Sequence, residues 1–496
     1  NDYVCFRVTL FRPSDGEGAV VPGEALRGDL LRLLAEASRL SPATPSESGG
    51  DFLSLGEAHL EAVDERIKAI EHGDLATMIY TSGTTGPPKG VMLSHDNLAF
   101  TANMANEVLD SALVQGDNCV VSYLPLSHIA EQMFTIHLAI TLGYPVWFAE
   151  SIDKLKEALI AARPTLFFAV PRVWEKFRAA LEGKLGEATG LKAKIVDWSR
   201  KVGVEEGYRM IEQGEDTAGL KYKIADKLFF SKLAGQLGLD RLKIAISAAA
   251  PIGTDVLEFF LSCGITIREI YGQSEGTGPT TFNYPEPAGT KFGTVGKALP
   301  GLDLRIAEDG EIVFRGANVF MGYYKDEAAT EEALVDGWLH SGDIGELDDN
   351  GFLRITDRKK NIIITSGGKN VAPQPIEAQL KRIEGIGQAV VIGDQRKYLT
   401  ALLTLDPDGA PAFARKKGWP TDLDELSAHE PFHAYIQECV DAINSELARV
   451  ETIKKFRILP QEFTEEANEL TPTKKIKRRV VTTNYEKEIE SMYEAA

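Results

Sequence analysis

Three stretches of the sequence hold side chains that could do chemistry. In Thr81-Ser-Gly-Thr-Thr-Gly-Pro-Pro-Lys-Gly90, Gly83 and Gly86 let the backbone turn its amides toward an anion. The hydroxyls of Thr81, Ser82, Thr84 and Thr85 add donors, and Lys89 supplies a point charge. That inventory suits a polyphosphate. It is not a Walker A loop, because Lys89 stands three places after Gly86 where that motif requires adjacency, so a GTPase or P-loop kinase fails on spacing. In Tyr271-Gly-Gln-Ser-Glu275 the tyrosine offers a flat aromatic face and the glutamate a hard oxygen ligand for Mg²⁺. Read alone, the pentapeptide is by default a Tyr-Gly turn with an exposed acid. Near the end, Leu470-Thr-Pro-Thr-Lys-Lys-Ile-Lys-Arg-Arg479 packs five cations into its last six positions, a nuclear-localisation or anion-binding pattern when taken in isolation.

The elements that must position these groups follow from hydrophobic periodicity. Leu75 to Tyr80 is a short apolar run that feeds the first loop, and Ser94 is placed to cap the helix after it. Similar runs at Cys119–Leu124, Thr165–Val170 and Leu242–Ser247 alternate with helical periodicity and predict an α/β domain with largely parallel strands. Arg172 to about Gly238 reads as a helical insertion. After Gly293, Asp309-Gly310 and Asn350-Gly351 sit between short apolar runs and predict hairpins, since glycine accepts the positive φ of those turns. From Asp357 onward a smaller α/β pattern predicts a helix near Ile376–Ile383 and strands near Ala389–Ile392 and Leu399–Leu405. Leu26–Leu40 could form an amphipathic helix, and the Ser/Pro/Gly-rich stretch 41–50 is linker chemistry.

The bulk composition narrows the function. At 496 residues the chain exceeds one core, and its net charge of −19 argues against nucleic acid as a partner. Four scattered cysteines without a CxxC pair point away from zinc or disulfides and toward a reducing, cytoplasmic compartment. The start lacks the pattern of a signal peptide, and the most apolar run, Phe134–Phe148, is broken by His137, Gly143 and Pro145. Peripheral contact with a membrane surface stays open.

The segment from Tyr80 to Val91 closely resembles the signature loop of the adenylate-forming enzymes, which include acyl-CoA synthetases, peptide-synthetase adenylation domains and luciferases. The resemblance implies a mobile loop holding the β- and γ-phosphates of ATP, with Thr81, Ser82, Gly83, Thr85, Gly86 and Lys89 as contacts and Thr84 also near the metal. The family's other motifs follow in order. Tyr271, Gly272, Gln273 and Ser274 resemble the turn beside adenine, and Glu275 the Mg²⁺ ligand. Ser247-Ala-Ala-Ala-Pro251 resembles the adenine-side turn, with Ala249 at the nucleotide and Ala248 where glycine is more usual. In Gly337-Trp-Leu-His-Ser-Gly-Asp343 the aspartate would accept from the ribose hydroxyls. In Asp357-Arg-Lys-Lys-Asn361, Arg358 would also reach the ribose and Lys360 act as hinge. The terminal cluster resembles the last motif and places the catalytic lysine at Lys475. Thr84, Glu275 and Lys475 are thus the expected catalytic groups, with Mg²⁺ as cofactor and ATP and CoA as co-substrates.

Tyr123-Leu-Pro-Leu-Ser-His128 and Ala169-Val-Pro-Arg-Val-Trp-Glu-Lys176 resemble long-chain acyl-CoA synthetases. Ser366-Gly-Gly-Lys-Asn-Val371 and Val391–Lys397 are closer still to their bubblegum-type branch. His128 lies where the family places a residue against the acyl or CoA path, and it reads equally well as a hydrogen-bonded histidine under a loop. The fold implied is an α/β adenylation domain over 51–357, with parallel-sheet layers and antiparallel strands, followed by a small mobile α+β domain over 358–496. Residues 1–50 stay unassigned. Only about eighty residues precede Thr81, fewer than the first subdomain the family places there, so a truncated start is expected. The expected reaction joins a long-chain fatty acid to CoA through an acyl-adenylate. The alternatives are an acyl-AMP ligase serving a carrier protein, and an inactive ATP-binding homologue.

Overall fold

The computed structural model describes residue 65 and residues 68–81, 88–113, 118–214, 217–470 and 476–494. The helix expected at Leu26–Leu40 lies outside them. The chain divides into two compact units, one of Asn1–Ile79, Gly90–Asp303 and Arg315–Glu327, the other of Tyr80–Lys89, Leu304–Phe314 and Ala328–Ala496.

Strands β1 (Leu75–Thr81) and β2 (Lys89–Ser94) flank the glycine- and hydroxyl-rich loop. Helix His95–Leu113 follows β2 directly. Its start carries a reciprocal cap: Asn97 N–H donates to Ser94 Oγ at 3.1 Å, and Ser94 N–H donates to Asn97 Oδ1 at 2.9 Å.

The core of the first unit is a seven-stranded sheet of β3 (Val120–Ser122), β4 (Val146–Phe148), β5 (Leu166–Ala169), β6 (Ile244–Ser247), β7 (Ile267–Gln273), β8 (Gly278–Phe282) and β9 (Lys297–Ala298). Its order is β4-β3-β5-β6-β7-β8-β9, parallel through β7 and antiparallel beyond. The antiparallel region therefore begins at Gly278, earlier than the change of texture after Gly293 suggested. Strand side chains alternate between two cores, as a period of two requires. Phe167, Ala245 and Ile267 enter one, and Leu166, Phe168, Ile244 and Ile246 the other. Both faces are covered, so the central strands read as unbroken apolar runs.

Residues between β5 and β6 form the predicted helical insertion, with helices Pro171–Gly186, Gly190–Gln213, Leu220–Ala225 and Ser231–Leu237, and a π-turn at Asp226–Phe230. Trp174 anchors the first helix to the sheet. It is fully buried, meets Phe167 and Phe260 edge-on at 5.4 and 5.1 Å, and donates its indole N–H to Ile246 O at 3.2 Å. Burying one such side chain stabilises the fold by roughly 3 kcal/mol or less. Gly238 ends the insertion with φ +72, where a Cβ would stand 2.2 Å from Leu159 O.

In the second unit, β10 (Asp303–Ile306) and β11 (Glu311–Arg315) enclose the Asp309-Gly310 turn. The two-residue β12 (Gly322–Tyr323) belongs to the first unit and pairs antiparallel with β2. β13 (Leu334–Val335), β14 (Trp338–Leu347) and β15 (Leu353–Arg358) complete a sheet ordered β10-β11-β14-β13, with β15 on β14. The Asn350-Gly351 hairpin joins β14 and β15, with φ +79 at Gly351. After the small pair β16 (Ile363–Ile364) and β17 (Asn370–Val371) comes a sheet of β18 (Ile386–Ile392), β19 (Leu399–Leu405) and β20 (Ile453–Leu459). Ala389, Val391, Ala401 and Leu403 pack under helices Pro373–Leu380 and Glu430–Glu446. Val390 and Leu402 pack under the C-terminal helices, with Val481 and Ile489.

Candidate nucleotide site

The candidate residues divide between the two units. Ser82, Gly83, Thr84, Thr85 and Gly86 lie outside the described residues, as does Lys475. At the base of the first loop, Thr81 Oγ1 approaches Lys89 O at 3.5 Å. Its exit strand β2 is held by residues the sequence did not single out. Met321 N–H donates to Met92 O at 2.9 Å and Tyr324 N–H to Gly90 O at 2.8 Å, which fixes the register Tyr323 to Val91.

Residues 317–324 form a strap between that strand and the Tyr271–Glu275 turn. Asn97 Nδ2 donates to Ala317 O and Val319 O, both at 2.8 Å, so the helix cap also anchors the strap. Asn318 Nδ2 donates to Gly276 O at 3.0 Å, and Phe320 N–H donates to Glu275 O at 2.9 Å. The Tyr323 hydroxyl then donates to Glu275 Oε1 at 2.8 Å, its ring set edge-on to Phe320 at 4.9 Å. Glu275 is half-buried at the end of β7. One hydrogen bond to Oε1 fixes its rotamer without using Oε2.

The turn itself depends on Gly272. A Cβ there would lie 1.7 Å from Gly278 O, across a register shift between Tyr271 and Gly272. The turn places Tyr271 in the core, 7% exposed, and leaves Gln273 and Ser274 half-buried at the edge. Two residues before Tyr271, the buried Glu269 is pushed up to about 8 by burial. It pairs in register with Ser247 of β6, and Glu269 Oε2 and Ser247 Oγ are both buried without a hydrogen-bond partner. Glu269 stands two places after Ile267, on the strand face that Ile267 buries, and an acid at that alternate position was the signal available for it. After β6 the strained residue is Ala249 at φ +71, whereas Ala248 is buried and has no positive φ.

In the second unit the structure brings Asp343 and Arg358 together. They face each other across β14 and β15, with Arg358 Nε 2.8 Å from Asp343 Oδ1. Asp343 is buried and takes a backbone anchor, its N–H donating to Ser341 Oγ at 3.1 Å. Beside them, Glu311 was missed by sequence reasoning. Burial would raise its carboxyl, but His340 at 2.8 Å, Lys359 at 2.9 Å and the Gly342 N–H at 2.8 Å hold it below the ordinary range. Lys360 is exposed in the turn Lys359–Asn361 that follows β15. His128 caps helix Ile129–Gln132, its Nδ1 accepting from Ala130 N–H at 3.2 Å.

The described residues on either side of Lys475 meet one another. Leu470 bridges Ile476, and Lys477 N–H donates to Glu469 O at 2.7 Å. Arg478 pairs with Glu377 and donates to Val391 O at 3.2 Å, which ties this end to the β18 sheet.

Among the described residues no group of three or more His, Cys, Asp or Glu side chains is placed to hold a metal. A single carboxylate such as Glu275, joined by substrate phosphates, is a donor set that suits Mg²⁺.

Comparison with known proteins places this arrangement. The sequence profile of the AMP-binding enzyme family matches residues 28–324, and that of the AMP-binding enzyme C-terminal domain matches 360–496. Long-chain-fatty-acid–CoA ligase ACSBG2 of Xenopus laevis is 39% identical over 90% of this chain, which spans 64% of that ligase. Long-chain-fatty-acid–CoA ligase FadD15 of Mycobacterium tuberculosis is 37% identical over 98% of this chain and 80% of its own length. In fold, the chain is similar to ATP-bound MatB from Rhodopseudomonas palustris, with TM-score 0.59 and 22% identity over 88% of this chain and 77% of that one. It is also similar to o-succinylbenzoate CoA synthetase (MenE) from Bacillus subtilis in complex with its acyl-adenylate intermediate, with TM-score 0.58 and 23% identity over 84% and 73% of the two chains. The first profile alone covers more than half of the sequence, and the chain belongs to the adenylate-forming AMP-binding enzymes.

Proposed function

We propose that this protein is an ATP-dependent long-chain fatty-acid–CoA ligase. The observation that carries the reading is the strap of residues 317–324, which ties the exit strand of the hydroxyl-rich loop to Glu275 through Tyr323. The strand that leaves the hydroxyl-rich loop and the acid that would bind the metal thereby share one hydrogen-bonded framework. The identity to named long-chain ligases supports the choice of substrates.

In this reading the fatty carboxylate attacks the α-phosphorus of ATP and the bond to pyrophosphate breaks, leaving acyl-AMP. The CoA thiol, losing its proton, then attacks the acyl carbonyl and AMP departs. Thr81, Ser82, Thr84, Thr85 and Lys89, with the amides of Gly83 and Gly86, hold the β- and γ-phosphates. Glu275 would hold Mg²⁺, with Thr84 beside it, and the ion would neutralise charge developing on the phosphates. Tyr271 to Ser274 and Ala249 line the base. Asp343 accepts from the ribose hydroxyls, with Arg358 fixing its carboxylate. Lys475 offsets charge at the reacting phosphate, and Lys360 is the hinge about which the small domain turns between the two steps.

The test is long-chain-fatty-acid-dependent exchange of pyrophosphate into ATP. Wild type should catalyse it, and Lys475→Ala should lose roughly a hundredfold or more, the usual loss when one such contact is removed. Full exchange by the variant would remove Lys475 from the mechanism.

A further inference from the structure

The helical insertion carries a face that the sheet does not use. In Leu220–Ala225 and the π-turn Asp226–Phe230, Ala225, Phe229 and Phe230 fill the core. The opposite side shows Leu220 at 75% exposure, Ile224 at 44% and Leu228 at 43%, four residues apart and so on one helical stripe. Exposed lysines border it, with Lys223 and Lys227 on one flank and Lys221 on the other. On the helix Gly190–Gln213, which packs against this one, Leu191 is 75% exposed and Trp198, seven residues on and so on the same side of that helix, is exposed as well, with Lys192, Lys194 and Asp197 around them.

Single exposed leucines are ordinary, but three large apolar residues in one helical stripe bordered by three lysines are not a random surface. Residues 219–232 hold four lysines against one aspartate, Asp226, whose Oδ1 accepts from the Ser231 hydroxyl at 2.8 Å. This basic patch stands in a chain of net charge −19, so its charge is local and directed. Lysine stems can cover apolar surface while their ammonium groups reach outward, the arrangement of a helix lying in a membrane interface.

We propose that this face docks on an anionic lipid surface, with Leu220, Ile224 and Leu228 entering the boundary between headgroups and acyl chains. The lysines then meet the phosphate-bearing headgroups. Among the described residues no helix is long and apolar enough to cross a membrane, so the contact lies in the plane of the surface. The proposal does not rest on the ligase reading, because vesicle binding needs neither ATP nor CoA.

The experiment is co-sedimentation of the full chain with vesicles of phosphatidylcholine alone, or of phosphatidylcholine and phosphatidylglycerol in equal parts. Wild type should bind the mixed vesicles and be released by high salt. The triple variant L220S/I224S/L228S and the charge-reversed K221E/K223E/K227E should each bind at least about tenfold more weakly. These positions are exposed, so an unchanged melting temperature checks that both variants fold. Failure of wild type to bind mixed vesicles would overturn the proposal, as would equal binding by both variants. Self-association of wild type without lipid, abolished by L220S/I224S/L228S, would overturn it too, because the face would then join copies of this chain.

Discussion

The Tyr323 hydroxyl lies 2.8 Å from Glu275 Oε1, a contact between residues 48 apart in sequence. Tyr323 also pairs through its backbone with Val91 on the strand leaving the hydroxyl-rich loop, so one residue links that strand to Glu275. Tyr323→Phe keeps the ring on Phe320 and removes only the donor. Hydrogen bonds to charged groups contribute roughly 1.5–3 kcal/mol, so the variant should need roughly tenfold to a hundredfold more Mg²⁺ to reach full ATP affinity. ATP binding without Mg²⁺ should stay as in wild type. Calorimetric titration with and without EDTA reads both, and an unchanged Mg²⁺ requirement would show that Tyr323 does not position the acid.

Ala249 adopts φ +71 directly after β6. A left-handed conformation costs an L-residue roughly 1–2 kcal/mol, and glycine escapes that cost while losing up to about 1 kcal/mol to unfolded-state entropy. Ala249→Gly should therefore leave stability equal or slightly raised. Ala249→Val should lower it by roughly 2 kcal/mol or more, because a β-branched side chain tolerates this region least. Urea denaturation compares the two, and a valine variant as stable as wild type would contradict the strain.

Burial raises Glu269 from 4.5 to about 8. Between those values the folded protein holds a proton that the unfolded chain has released, so stability should fall as pH rises from 4.5 to about 8. Glu269→Gln is neutral in both states and should remove this part of the pH dependence, melting above wild type at pH 8 but not at pH 5. Parallel pH profiles of the two proteins would mean that Glu269 is ionised in the fold.

Gly272 and Gly278 touch backbone to backbone, leaving 1.7 Å where a Cβ at Gly272 would stand. The obstructing atom is a carbonyl oxygen in the paired strand, not the end of a flexible side chain. Gly272→Ala should cost several kcal/mol, at the upper end of roughly 4–5 kcal/mol for single substitutions, and displace Glu275 with the turn. A folded variant with normal ATP affinity would contradict this close packing.

What the sequence disclosed was local. Ser94 capped its helix, Gly310 and Gly351 took the positive φ of their turns, and apolar runs at 166–169 and 244–247 became central parallel strands. Each signal spans a few residues and rests on backbone conformation or burial. Tyr323 carried no such signal, because its meaning lies in a partner far along the chain. The same holds for Glu311, which meets His340 and Lys359, and for Arg478, which meets Glu377. Asp343 and Arg358 were proposed through family resemblance alone, and only the register of β14 and β15 sets them side by side. Ala248 was singled out as the departure in its turn, yet the strain falls on Ala249, since the residue that reverses the chain depends on where β6 ends.

The proposed ligase would activate a long-chain fatty acid as its adenylate and pass the acyl group to CoA. The most direct measurement is AMP formed by the purified protein from Mg·ATP and a long-chain fatty acid, with and without CoA. The account predicts sustained AMP release together with acyl-CoA when all substrates are present, and no more than a single turnover of acyl-AMP without CoA. ATP binding without any fatty-acid-dependent AMP would contradict it.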